Sequence, residues 1–168
     1  LGEVLAVRRA RLGDDALDTA SAWHNLGHLA QLAGRPEQAL PHYRQALSIK
    51  QRRLGEDHLS TLSSLHDLVV SLGELRRTAE ALPLAERLVA LTRRVHGPAS
   101  QQHAEALAVW GIHLHDAGRP QAGREALAGA VAGLRAGGES MRLAQAHNNL
   151  ALLLWDLGLA AEAEAQWA

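Results

Sequence analysis

The sequence predicts an all-α protein built from repeated pairs of antiparallel helices. Three observations point to this. Leu12-Gly13 recurs as Leu54-Gly55, Asp15 as Asp57, Thr19 as Thr61 and Ala39-Leu40-Pro41 as Ala81-Leu82-Pro83, all at a spacing of 42 residues. Self-similarity at one fixed period marks a stack of supersecondary units. Within a period the apolar residues follow the helical i, i+3, i+4, i+7 rule, as in Leu26, Leu29, Ala30 and Ala33. Composition agrees: hydrophobic residues are 47%, aromatics only 3%, and there is no Phe, so Leu and Ala carry the apolar content. Such a chain favours helices over sheets.

The elements follow in order. Each unit reads as a helix A, a tight turn, a helix B and a glycine-containing link. Leu5 stands one period before Leu47, so residues 2–12 form an orphan B helix. Repeat 1 covers 16–53, with Gly34 ending its A helix (16–33) and Pro36 in the first turn of its B helix (36–53). Repeat 2 covers 58–95, with helices at 58–75 and 78–95. Asp15 and Asp57 stand where they would cap the A helices that follow them. Repeat 3 covers 100–136, with helices at 100–117 and 120–136. Its B helix carries Gly123, Gly129 and Gly133, each costing about 1 kcal/mol relative to Ala. Gly137-Gly138 follows, where the period loses two residues, and a soft joint is expected there; close helix packing is the simpler use of the same glycines. A partial repeat 4 covers 140–168, with helices at 140–157 and from 160. Its last segment, Ala160 to Trp167, lacks the polar face of a solenoid cap. The chain is therefore expected to be a single array, 1–168, cut from a longer protein with repeats on both sides.

Composition and motifs exclude several function classes. Lys+Arg is 17 and Asp+Glu 18, a net charge of -1, which argues against a strongly basic nucleic-acid binder. With no Cys there is no disulfide framework, thiolate metal site or cysteine nucleophile. No apolar run reaches the roughly 18 residues of a membrane span. Phosphate-binding glycine loops and serine elbows are absent, so no enzyme activity is expected. Arginine pairs at B-helix ends (Arg8 and Arg9, Arg52 and Arg53, Arg93 and Arg94) read as partners of the helix dipole. The acidic corner Asp14, Asp15, Asp18 reads as capping.

The first unit resembles a tetratricopeptide repeat. Trp23, Leu26, Gly27, Gly34, Ala39, Tyr43 and Ala46 match the signature, and Ala30 departs from it, being small where an aromatic is usual. The long period, the link Leu54-Gly55-Glu56-Asp57-His58 and the A-helix run Asn148-Asn149-Leu150-Ala151 look like the kinesin-light-chain type. The resemblance covers essentially the whole chain and implies a right-handed superhelical solenoid with A helices on its concave wall. It also implies that peptide contacts come from A-helix positions outside the packing set. These are Ser21, His24, Asn25, His28 and Gln31 in repeat 1; Ser63, His66, Asp67, Val70 and Glu74 in repeat 2; Glu105, Ala108, Val109, Ile112 and His115 in repeat 3; and Gln145, Asn148, Asn149, Leu152 and Trp155 in repeat 4.

An Asn amide both donates and accepts, so Asn25, Asn148 and Asn149 suit an extended peptide backbone, with apolar anchoring near Trp155. No position of this set is Lys or Arg, which disfavours a clamp for a chain-terminal carboxylate. His24 and His28 stand one helical turn apart, but Asn25 occupies the place of the Glu in an H-E-x-x-H motif, so no metal and no cofactor are expected. Near-neutral titration also makes a pH-responsive groove conceivable. Trp23, Trp110 and Trp167 fall at packing positions. The expected function is a non-catalytic scaffold for a protein or peptide segment, cytoplasmic, with no nucleic-acid or membrane partner. The alternative is a regulatory or self-assembly module of a larger bacterial signalling protein, resembling the repeats of STAND-type ATPases, whose partner is itself or another domain of the same chain.

Overall fold

A computed structural model describes residues 2–138 and 140–167. Among these residues the secondary structure is helical throughout: α1 (Gly2–Leu12), α2 (Leu17–Leu32), α3 (Pro36–Leu54), α4 (Leu59–Glu74), α5 (Thr78–His96), α6 (Gln101–Asp116), α7 (Pro120–Arg135), α8 (Met141–Asp156) and α9 (Ala160–Trp167). In repeat terms α2, α4, α6 and α8 are A helices, and α1, α3, α5, α7 and α9 are B helices. They group into two compact units, Leu1–Arg77 and Thr78–Ala168.

In the first unit α1 packs on α2, α2 on α3 and α3 on α4. Small residues bring the helices together: Ala20, Ala22, Ala39 and Ala46 are fully or almost fully buried, and Leu40, Leu65 and Leu72 fill between them. Gly27 shows why the repeat needs a glycine there. A Cβ at Gly27 would stand 2.8 Å from the ring of Tyr43, which is itself wholly buried. Leu29, although on the apolar stripe, remains 44% exposed.

In the second unit α5 packs on α6, α6 on α7, α7 on α8 and α8 on α9, and α6 also touches α8. Its core joins Ala104, Leu127, Val131, Leu134, Leu150 and Leu154. α7 is an unbroken helix despite its glycines. At Gly133 a Cβ would come within 2.7 Å of the Ala104 Cβ, so close packing, rather than a break, is the use this glycine serves.

The helix starts correct one expectation. Asp15 and Asp57 do not cap: α2 begins after Ala16 with no side-chain cap, and α4 is capped by His58, whose Nδ1 accepts from the Ser60 N–H at 3.1 Å. In each case the N-cap position falls one residue after the aspartate. The recurring threonines close the link instead. Thr19 Oγ1 donates to the Gly13 carbonyl at 2.9 Å, and Thr61 Oγ1 to the Gly55 carbonyl at 2.8 Å. The aspartates of the acidic corner hold arginines of B helices: Asp15 accepts from Arg52 at 2.6 Å, and Asp14 from Arg9.

The A-to-B turns use a residue with positive φ. Gly34, Gly118 and Gly158 take it at 69°, 73° and 76°. One period after Gly34 the residue is Arg76, which adopts φ 55° and is the sole non-glycine with positive φ among the described residues. A Cβ-bearing residue in this region is disfavoured by about 1–2 kcal/mol.

Candidate functional site

The A-helix face of the first unit is polar and internally bonded. His24 on α2 is half-buried, and its Nδ1 lies 3.1 Å from the Ser64 hydroxyl of α4. Its Nε2 faces the Asp67 carboxylate at 3.4 Å, and His66 Nδ1 approaches the other carboxylate oxygen, also at 3.4 Å. Behind them Lys50 of α3, 5% exposed, donates to Ser64 Oγ at 2.8 Å. A second chain runs beside the first. The Tyr43 hydroxyl donates to Gln31 Oε1 at 2.8 Å, and Gln31 Nε2 donates to Glu74 Oε1 at 3.0 Å. The His24 and Tyr43 rings meet edge to face, 5.6 Å apart.

Burial lowers the His24 pKa below its usual 6.5, and the Lys50 cation pushes it the same way, against the pull of Asp67. Lys50 is itself lowered by burial, with Asp67 opposing. Burial, with Asp67 and Glu74 adding to it, pushes the Tyr43 phenol up to about 12. Of the other expected residues here, Asn25, His28 and Ser63 are exposed and Val70 is half-buried. Ser21 is exposed too, but its hydroxyl bonds back to the Leu17 carbonyl of its own helix at 3.0 Å.

The second unit presents an apolar A-helix face. Leu152 and Trp155, one turn apart on α8, are 52% and 55% exposed, and Ile112, one repeat before Leu152 on α6, is 36% exposed. Trp155 is therefore not a core residue. Ala108 and Val109 are half-buried beside them in the sequence of α6. Polar groups frame the face. Gln145 Nε2 donates to Asn149 Oδ1 at 3.0 Å, Glu105 accepts from Gln101 at 3.0 Å and pairs with Arg142 at 3.1 Å, and His115 Nε2 lies 3.2 Å from Asp156. Asn148 turns to the neighbouring B helix, where it accepts from the Trp167 indole N–H at 3.4 Å.

Ser64, Lys50 and Tyr43 belong to the polar network although they were not expected on this face. The repeat alignment carried a signal for two of them. Ser64 occupies a position held by Ala22 and Ala106 in neighbouring units, and Lys50 one held by Thr92. A polar residue at a buried register position needs a bonded partner. Among the described residues no three His, Asp or Glu side chains are placed to hold a metal ion, and no helix is long and apolar enough to cross a membrane.

A tetratricopeptide-repeat family model matches residues 1–52 and 18–94, together more than half the chain. The chain belongs to the tetratricopeptide repeat family. No curated protein matches it. Among solved structures, this tetratricopeptide array is similar to the nearly identical TPR-like repeats of a putative kinesin light chain from Podosopora anserina. The TM-score is 0.84 at 21% identity, covering 99% of this chain and 79% of that one. It is also similar to BtubC (BKLC) from P. vanneervenii, with a TM-score of 0.77, 20% identity, and 89% of this chain and 60% of that one covered. The apo form of RapI follows at a TM-score of 0.82 and 13% identity, over 96% of this chain and 58% of that one. At such identities the likeness is one of fold: an all-α array of tetratricopeptide-type helix pairs, similar to kinesin-light-chain repeats. The array spans less than two thirds of the length of BtubC and RapI.

Proposed function

We propose that this tetratricopeptide array is a non-catalytic scaffold that binds an extended protein or peptide segment on its A-helix faces. The observation that carries the reading is the exposure of Ile112 on α6 and of Leu152 and Trp155, one turn apart, on α8. A large aromatic left open beside exposed aliphatic residues is a typical interaction anchor. Asn149 and Gln145 beside it supply donors and acceptors for a peptide backbone, and in the first unit Asn25 offers the same chemistry. None of the expected contact positions is Lys or Arg, so the preferred segment carries an apolar anchor flanked by neutral or basic residues rather than an acidic chain terminus.

The test is a selection from a random-sequence peptide library on the full chain, followed by titration of the selected peptides. Selected sequences should share an apolar anchor and be poor in Asp and Glu. Trp155→Ala is expected to weaken them by about 2 kcal/mol, roughly 30-fold, as an interface anchor does. Asn25→Ala with Asn149→Ala should weaken them further while leaving the unfolding midpoint unchanged. Full affinity in both variants would sink the reading. If Trp155→Ala instead converts a dimer to a monomer in light scattering, the self-assembly alternative takes its place.

A further inference from the structure

The polar chain of the first unit has a direction. Lys50, the only lysine in the sequence, carries an ammonium that can only donate, so Ser64 Oγ accepts from it. The serine hydrogen is then free to point at His24 Nδ1, 3.1 Å away. That nitrogen must be unprotonated to accept, which places the imidazole hydrogen on Nε2, facing the Asp67 carboxylate. Four residues on three helices therefore relay one polarity, from a buried cation through two neutral groups to an anion. No neighbouring repeat contains it: Ala22 and Ala106 replace Ser64, and Thr92 replaces Lys50.

We propose that Lys50, Ser64, His24 and Asp67 form a proton-operated latch that ties α2, α3 and α4 together at neutral pH and releases when His24 takes up a second proton. Protonated His24 has no acceptor for the Ser64 hydroxyl. Ser64 is wholly buried, so water cannot replace that acceptor, and two cations then flank one oxygen. The charged groups that act on His24 are Lys50 on α3, Asp67 on α4 and His28 on its own helix; the Tyr43 ring packs on it from α3, and His66 on α4 shares the Asp67 carboxylate. Asp67 alone lies close enough to stabilise the imidazolium directly, at 3.4 Å, and burial together with Lys50 outweighs it. The sign follows. With the folded pKa lowered, the unfolded chain binds more protons between that value and 6.5. The contribution of His24 to stability is then constant above about pH 7, falls as pH drops through this window, and levels off below the folded value; His42 and His103, whose pKa values burial also lowers, add contributions of the same sign. The effect on ligand binding rests on the proposed role of the A-helix face. The latch itself does not, and its test uses no ligand.

Long-range 1H–15N NMR of the full chain labelled at histidine reads the tautomer and the titration together. At pH 7.5 His24 should show the Nε2–H tautomer, with a midpoint below 6.5. Lys50→Met should raise that midpoint and Asp67→Asn lower it further. His24→Gln retains a donor and an acceptor but cannot titrate. It should reduce the loss of amide-exchange protection in α2 and α4 expected of the parent chain below pH 6.5, leaving the part due to His42, whose pKa burial also lowers and which stacks on Trp23. An Nδ1–H tautomer in the parent chain, midpoint shifts of the same sign in Lys50→Met and Asp67→Asn, or an unchanged acid response in His24→Gln would each overturn the latch. The tautomer measurement needs no variant to fold.

Discussion

Ser64→Ala is expected to destabilise the protein by about 2–3 kcal/mol, while Lys50→Met costs far less or nothing. A serine-to-alanine change in a helix is ordinarily mild, since Ala is the better helix former. Here it strips a 5% exposed ammonium of the acceptor that holds it at 2.8 Å. A buried donor left without a partner costs roughly 1–3 kcal/mol, and a charged one lies at or beyond the upper end. Lys50→Met removes the charge together with the need to solvate it. Ser64 then keeps its bond to His24 and loses only an incoming hydrogen, and an apolar replacement of similar volume for a buried ion is often neutral or stabilising. The combination of both changes should be milder than Ser64→Ala alone, a coupling that a double-mutant cycle in urea measures directly. If Ser64→Ala and Lys50→Met prove equally harmful, the serine is not what satisfies the lysine.

Gly123→Ala and Gly129→Ala, six positions apart on α7, are expected to change stability in opposite directions. Both exchange an interior helix glycine for alanine, which by itself gains about 1 kcal/mol. At Gly129 the new Cβ meets Leu107 Cδ1 at 3.4 Å, an ordinary contact, so most of the gain should survive. At Gly123 it would lie 2.9 Å from the Gly111 carbonyl oxygen and 3.0 Å from Leu153 Cδ1. The side chain can turn away, but the carbonyl belongs to the backbone of α6 and moves only if the two helices separate. Overpacking of this kind costs about 1–3 kcal/mol, so a net loss of up to about 2 kcal/mol remains. Thermal unfolding of the two variants decides it, and a Gly123→Ala chain more stable than its parent would show that α6 and α7 do not need their close approach.

The fold was legible because a period and a helical spacing are local properties. Leu12-Gly13 and its recurrence, the signature from Trp23 to Ala46, and the Gly34-Arg35-Pro36 turn each report on a few neighbouring residues. The A-helix positions followed from the same register. What escaped depends on how helices rotate against one another. Lys50 stands near the end of a B helix in the sequence, yet the packing of α3 on α4 turns it inward to Ser64. His24 read as one of two histidines a helical turn apart, and its bonded partners lie 40 and 43 residues away in sequence. The acidic corner suggested caps because Asp favours N-termini, whereas Asp15 reaches across to Arg52. Trp155 could not be placed as core or surface from periodicity alone, since a tryptophan serves either.

The burial of Lys50 also gives the protein an internal reporter. A lysine-specific endoprotease finds one lysyl bond in these 168 residues, near the C-terminal end of α3 and sealed under α4. Cleavage there must wait for α3 to open, so its rate at low enzyme concentration measures how often the first unit comes apart. Acid would quicken that single cut, after allowance for the enzyme's own pH profile, if the histidine beside it governs the opening. A native chain can thus be assayed for breathing with two bands on a gel and no label attached.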